Sequence, residues 1–415
     1  MPFRRLHSHF DVSTRLLRLK YNVVAERLQP RFSRASVFAS KQSAGSVKEV
    51  EIFARSDVDQ IPINIKDVVS APTCRITPVT DYAFGNQGKM LRPLLVLLMA
   101  ACANGHNNYS LIKSSNQISR IAFPGRHLGK FFVMNRVTDA QHAVAVIAEM
   151  IHTASLLHDD LIDKAEKRRG KLAAYRKFGC KRTVLIGNIV LLKASELLAK
   201  IENAEVVSIL SNYFFCAYHS GEFMQLASSS DENQRFRMYL EKTYKKTASL
   251  MANCCKAVGQ FSSFFSDSLF SLYMVPVTIL SEVDDVMIEA AYSFGRHLGM
   301  AFQLLDDVLD FVGQETKLGK PAGGSDLRLG LATGPVLFAA QQFPELEMML
   351  EAKLTSADDQ KKAFEFVRDS NGIGQTRMLA EFHFQEAQRQ LSHFKATDAR
   401  ECLLQVAATT LQRSF

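Results

Sequence analysis

Ala148-Glu149-Met150-Ile151-His152-Thr153-Ala154-Ser155-Leu156-Leu157-His158-Asp159-Asp160-Leu161-Ile162-Asp163 is an apolar stretch of helical period that ends in three aspartates. The same D-D-x-x-D pattern returns at Asp306-Asp307-Val308-Leu309-Asp310, again inside a long apolar run. Residues four apart lie on one helix face, so Asp159 and Asp163 point the same way with Asp160 alongside. Asp306, Asp307 and Asp310 repeat the arrangement. Carboxylates clustered in this way repel one another, and burying them is costly unless cations compensate. Two such clusters facing each other across a cavity would trap several Mg²⁺ ions. Those ions would in turn hold a very anionic ligand, of which a diphosphate is the obvious example.

Outward from these two stretches the helical period continues from about Gly88 to the C-terminus. Met90–Ala103 reads as one apolar helix and Thr138–Ala165 as another, with Thr138 or Asp139 as its N-cap. Further helices are expected at Gly187–Ile201, Ala204–Ala227, Glu232–Val258, Glu282–Val312, Pro335–Phe343, Asp358–Asp369, Gln375–Phe394 and Arg400–Arg413. Strand signals are nearly absent. The fold class is all-α, a large domain of long helices around a central cavity, spanning residues 85–415. Residues 51–84 read as a connector and first helical segment, with Pro62, Pro72 and Pro78 breaking Ile61–Pro78. Two segments, 110–136 and 260–280, lack a clean period and are unusually long for loops of a compact domain. One reading is that they are translated introns; finding both in the mature transcript would sink it.

The net charge of +8 is local. Residues 1–50 hold ten Lys and Arg against three acids, which accounts for nearly all of it. The rest of the chain is close to neutral, which argues against a nucleic-acid partner. An Arg- and Ser-rich, acid-poor leader has the composition of a mitochondrial transit peptide, and Val12–Leu28 could form a basic amphipathic helix. No apolar run is long enough to span a bilayer. Seven cysteines without a C-x-x-C spacing suit reduced, mostly buried thiols.

Basic side chains stand where anions would be needed. Arg168-Arg169-Gly170 follows the first aspartate cluster, and guanidinium forks match phosphate oxygens; an ordinary helix C-terminus is the alternative. Lys89 and Arg92, three apart, open a helix and can converge on one anion. His152 lies two turns before Asp159 on the same face. Lys246 and Thr247 lie on a third helix, and Gln303 lies one turn before Asp306, where its amide dipole could stabilise positive charge. Lys320, Gly323, Gly324 and Asp326 follow the second cluster in a loop that could close over a charged ligand. Ala154 and Ser155, five and four residues before Asp159, are small. No P-loop, dinucleotide fingerprint, nucleophile elbow or zinc spacing is present.

The motifs GKMLRP, AEMIHTASLLHDDLID, RRGK, YLEKTYKKTASL, MAFQLLDDVLDF and LGLATGPVLFAAQQFPE resemble those of the trans-polyprenyl diphosphate synthases, nearest to the mitochondrial decaprenyl and solanesyl type. The resemblance runs from about Gly85 to the C-terminus, apart from the two odd segments. It implies an isoprenoid-synthase-type helical bundle and a 1′–4 condensation of isopentenyl diphosphate with an allylic diphosphate primer. It implies Mg²⁺, three ions per active site, held by Asp159, Asp160, Asp163, Asp306 and Asp307 with Asp310 in support. Arg168, Lys246 and Lys320 would assist the allylic diphosphate. Lys89, Arg92, His152 and Arg169 would bind isopentenyl diphosphate, and Thr247 and Gln303 would face the reacting carbons. Small residues at 154 and 155 imply an open tunnel and long products, of use as the ubiquinone side chain. The resemblance also implies a homodimer or a hetero-oligomer with a divergent second subunit, a mitochondrial location in the matrix or at the inner membrane, and peripheral membrane association through the product. A shorter-chain synthase, a terpene cyclase and a non-catalytic partner subunit are the alternatives. Asn188 stands where the family usually has aspartate.

Overall fold

The computed structural model describes residues 44–69, 77–85, 90–106, 137–213, 232–270, 280–312, 325–328, 330–352, 354 and 356–412. Lys89, Lys320, Gly323, Gly324, the leader up to residue 43, and segment 110–136 lie outside them. Among the described residues the architecture is helical apart from one tight hairpin. No helix is long and apolar enough to cross a membrane.

Helix α3 (Leu91–His106) explains how the bundle is arranged. Pro93 through Asn104 are all buried, and a helix that is apolar on every side belongs at the centre. It is packed by α1 (Ala44–Val69), α4 (Asp139–Ile162), α9 (Ser249–Phe270) and α16 (Asp398–Gln412). Helix α1 passes straight through Pro62, where a break in the connector was expected. An interior proline costs about 3 kcal/mol. Val58, Ile61, Ile65 and Val69 form a stripe of at most 5% exposure on the central core. At about 1.5–3 kcal/mol for each such side chain, their burial outweighs the proline. Helix α2 (Thr77–Gly85) joins the same core through Val79 and Phe84, so the helical core begins well before residue 85.

Helix α4 starts where the sequence indicates. Thr138 is the N-cap, and its side chain and that of Gln141 form a reciprocal capping box. The helix ends at Ile162 rather than Ala165. Lys164 turns left-handed at φ 51°, and the Ala165 N–H bonds back to the Asp160 carbonyl at 2.9 Å, a Schellman-type stop. Next come β1 (Lys167–Arg168) and β2 (Lys171–Leu172), an antiparallel pair that the sequence pattern does not announce. Arg169 and Gly170 join them with φ of 50° and 79°, the positive pair that a two-residue hairpin turn requires. The two arginines therefore sit on a hairpin rather than at a helix end. Helices α5 (Ala174–Phe178), α6 (Cys180–Ala199) and α7 (Ala204–Asn212) follow, with α6 lying along α4.

The expected single helix over Glu232–Val258 is three elements. Helix α8 (Glu232–Thr243) runs into one π-helical turn, Tyr244–Ala248, and then into α9. Helix α9 continues to Phe270, so the first half of segment 260–280 is helical, and residues 271–279 lie outside the described residues. Helix α10 (Leu280–Val312) packs along α9 and along α15 (Gly372–Leu391). A smaller layer of α11 (Ser325–Arg328), α12 (Gly334–Ala340), α13 (Pro344–Glu351) and α14 (Ala357–Asp369) closes the C-terminal side. Among the described residues Cys102, Cys180, Cys254, Cys255 and Cys402 are free thiols. Burial pushes Cys102 and Cys255 up to about 12, which leaves them unreactive.

Candidate active site

The first aspartate cluster closes α4. Asp159 and Asp160 are 8% and 4% exposed, and Asp163 is the C-cap. Arg168 reaches back from the hairpin, and its Nε donates to Asp160 Oδ1 at 2.8 Å. Lys246 Nζ stands 3.6 Å from Asp159 Oδ2. The structure thus brings Arg168 and Lys246 to the first cluster. A shallow cleft lined by Thr153, Asp160, Arg168, Arg169, Leu172 and Tyr82 opens beside them. The Tyr82 hydroxyl donates to the Leu172 carbonyl at 2.7 Å and so ties the hairpin to α2.

The π-turn carries Lys246 and Thr247 between the two clusters. A π-turn inserts one residue into the helical phase, so uniform α-periodicity misjudges where these side chains point. Thr247 Oγ1 donates to Gln303 Oε1 at 2.8 Å. Gly299, one turn before Gln303, makes this possible. A Cβ there would lie 2.5 Å from the Ala248 Cα, so only glycine lets α10 approach the π-turn this closely.

The second cluster divides into two surroundings. Asp306 is exposed and Asp310 half-buried, and Asp310 Oδ2 accepts the Asp326 N–H at 3.0 Å. Asp307, expected with the metal ligands, is 3% exposed and has both carboxylate oxygens engaged by protein. Gln303 Nε2 donates to its Oδ1 at 2.9 Å, and the Tyr239 hydroxyl donates to its Oδ2 at 2.6 Å. Burial raises the Asp307 carboxyl to about 6 against these favourable bonds.

Arg92 and His152, grouped at one substrate by the family resemblance, lie together, with Arg92 Nη1 2.9 Å from His152 Nε2. A guanidinium only donates, so His152 Nε2 is the acceptor and the ring is neutral. Burial holds His152 well below its ordinary range, and the fields of Arg92, Arg169 and Arg168 add to the effect. Burial lowers Arg92, while Glu149 and Asp306 pull it the other way, so Asp306 acts on the same space. Ala154 is fully buried in the core, whereas Ser155 is half-buried, its hydroxyl donating to the His152 carbonyl at 2.8 Å. Of the two small residues, only Ser155 is partly accessible. His158 sits against α6, where a Cβ on Gly187 would overlap its imidazole; the neighbouring Asn188 is exposed.

Sequence reasoning missed Glu149, whose signal was a lone acid in an apolar helix three residues before His152. It is 8% exposed; burial lifts it from 4.5 to about 7, opposed by Arg92 and Arg169. A raised carboxyl contributes stability that is full below pH 4.5 and is lost as pH rises through about 7. Urea unfolding at pH 5 and pH 8 should show wild type losing up to about 3 kcal/mol more than Glu149→Gln over that interval. Equal pH dependence in the two proteins would remove this account of Glu149.

Among the described residues no three acidic, histidine or cysteine side chains are close enough to enclose a metal ion unaided. That donor set suits Mg²⁺ with a phosphate ligand, which uses one or two carboxylates and takes its remaining oxygens from water and phosphate. Asp159, Asp160 and Asp163 at the end of α4, with Asp306 and Asp310 on α10, are the carboxylates that could take this role.

The chain is similar to known proteins over most of its length. The family model described as polyprenyl synthetase matches residues 74–272 and 266–367; the two stretches meet inside segment 260–280. All trans-polyprenyl-diphosphate synthase PDSS1 of Homo sapiens is 41% identical over 350 residues, 84% of this chain and 74% of the human protein. Decaprenyl-diphosphate synthase subunit 1 of Schizosaccharomyces pombe is 32% identical over 369 residues, 86% of this chain and 90% of that one. The crystal structure of a polyprenyl synthase from Caulobacter crescentus, complexed with calcium and isoprenyl diphosphate, has a TM-score of 0.68 at 29% identity and covers 90% of this chain and 99% of its own. With matches of this extent, the chain belongs to the polyprenyl synthetase family of trans-prenyltransferases.

Proposed function

We propose that this chain is a long-chain all-trans-polyprenyl diphosphate synthase, which extends an allylic diphosphate with isopentenyl diphosphate to make the ubiquinone side chain. The carrying observation is a pair of differently built anion positions within electrostatic reach of each other. Aspartates with Lys246 and Arg168 form one; the Arg92–His152 pair with Arg169 forms the other. A hydrolase needs one diphosphate position; two imply condensation. The relatives' names support the long-chain reading.

Mg²⁺ dependence goes with the family, and three ions per site is the expected number. Bound between the aspartate rims, Mg²⁺ would neutralise the leaving diphosphate and ease its departure. Lys246 and Arg168 would hold the same diphosphate, with Lys320 as a further contact. Arg92, Arg169 and His152, with Lys89, would orient isopentenyl diphosphate. As the allylic C–O bond breaks, the electron pair leaves with diphosphate, and Thr247 and Gln303 would face the positive carbon. The isopentenyl double bond supplies the electrons of the new C–C bond, and its proton passes to the released diphosphate. His152 is a poor base for that proton because its Nε2 lone pair already accepts from Arg92.

The basic leader and the mitochondrial names of the Neurospora crassa and Oryza sativa relatives support a mitochondrial location, at the matrix side of the inner membrane. The fission-yeast relative is called a subunit, which supports a divergent second subunit over a homodimer. The test is incubation with labelled isopentenyl diphosphate, an allylic primer and Mg²⁺, alone and with a candidate partner, with chain length read by chromatography. Products no longer than farnesyl or geranylgeranyl diphosphate would support the shorter-chain reading. No product under either condition would support a non-catalytic subunit.

Ser155 and Ala154 make opposite predictions. Ser155→Phe should shorten the products by several isoprene units with less loss of stability, because position 155 is only half-buried. Ala154→Phe should lower stability by about 1–3 kcal/mol, because it overpacks a filled core. Chromatography of products and urea unfolding separate the two effects.

A further inference from the structure

Asp307 lies about 100° around the helix from Asp306 and faces protein rather than the cavity. Its hydrogen bonds form a chain with a defined direction. The Tyr239 hydroxyl gives its one proton to Asp307 Oδ2, which as an ionised carboxylate can only accept, and the Gly334 backbone and the Thr243 side chain stand beside the phenol oxygen. Gly334 admits this phenol closely, since a Cβ there would lie 2.9 Å from it. An ionised carboxylate only accepts, so Gln303 must turn its NH₂ toward Asp307 Oδ1. The Gln303 carbonyl oxygen is thereby aimed at Thr247, whose hydroxyl proton it takes. With its proton committed to Gln303, the Thr247 oxygen presents only lone pairs to any further partner. Tyr239, Thr243 and Asp307 are 5%, 3% and 3% exposed, so water does not compete for these bonds.

We propose that Tyr239 and Asp307 are positioning residues, which lock the Gln303 amide so that the negative ends of Gln303 and Thr247 face the positive carbon of the allylic substrate, and that Asp307 is not a metal ligand. This rests on the reading of the site as a prenyltransferase centre. Preorganised dipoles act without reorganisation at the moment charge develops, so their loss lowers kcat more than it weakens binding.

The experiment compares wild type, Tyr239→Phe, Asp307→Asn and Asp306→Asn. Calorimetric titration with Mg²⁺ and an unreactive allylic thiolodiphosphate gives metal-dependent affinity and the number of competent sites. Steady-state kinetics, with kcat expressed per titrated site, discounts any misfolded fraction. Tyr239→Phe and Asp307→Asn are each expected to lower kcat per site about tenfold. Neither should change Mg²⁺-dependent affinity or either KM by more than twofold, and the double variant should be little worse than the singles. Asp306→Asn should lose the metal-dependent affinity. Weakening of Mg²⁺-dependent binding by Asp307→Asn to the same degree as by Asp306→Asn overturns the proposal, because Asp307 is then a ligand. Unchanged kcat in Tyr239→Phe also overturns it. Wild type that neither binds nor turns over would overturn the prenyltransferase reading itself, and the positioning role with it.

Discussion

Asp306→Ala and Asp159→Ala are each expected to reduce turnover by about 10³-fold or more while leaving the protein folded. Holding a metal against a departing diphosphate is worth several kcal/mol, and about 4 kcal/mol corresponds to a thousandfold. Retention of the fold follows from the surroundings. Asp306 is exposed, and removing one carboxylate from a like-charged cluster relieves repulsion. Asp159 is 8% exposed beside Lys246, so its loss leaves a half-buried ammonium with a weaker counter-charge and a small stability deficit. Initial rates with labelled isopentenyl diphosphate, together with thermal melting followed by circular dichroism, check both parts. Activity like that of wild type in either variant would refute the role of that cluster.

The second large effect is expected at Arg92. Arg92→Ala should raise KM for isopentenyl diphosphate about 10–100-fold, the value of a charge-assisted hydrogen bond of about 1.5–3 kcal/mol. KM for the allylic primer should change little, because Lys246 and Arg168 belong to the other diphosphate. The loss extends beyond one anion contact: His152 Nε2 loses its donor at 2.9 Å and Glu149 loses its opposing charge. Arg92→Lys should recover only part of the deficit, since an ammonium cannot reproduce the planar fork. Kinetics with each substrate varied in turn test this. An equal rise in both KM values would mean that Arg92 supports the whole site rather than one half of it.

These two predictions rest on residues that were visible in the sequence. The aspartate pairs, Arg92, His152, Lys246, Thr247 and Gln303 stood out because charged and polar side chains interrupt helices that are otherwise apolar. Local rules were also sufficient for Thr138 as an N-cap, since a capping box is complete within four residues. The helical run through Pro62 was not legible, because the stripe that stabilises it has value only against α3 and its neighbours.

The sequence by itself determined the fold class and the helices that carry the two aspartate clusters. Those properties depend on the period of apolar residues and on which ionisable groups interrupt it. Tertiary structure decided which way those groups point and what they touch. The π-turn shifted Lys246 and Thr247 out of simple phase, and Gly299 brought Gln303 up to them. The hairpin at Arg169-Gly170 turned Arg168 back onto Asp160. Most of all, tertiary contact separated Asp306 from Asp307. Two adjacent aspartates are chemically alike, yet a buried tyrosine 68 residues earlier in the chain engages one of them while the other stays exposed. Helical period states which face a residue occupies; what stands opposite that face depends on contacts between residues far apart in the chain.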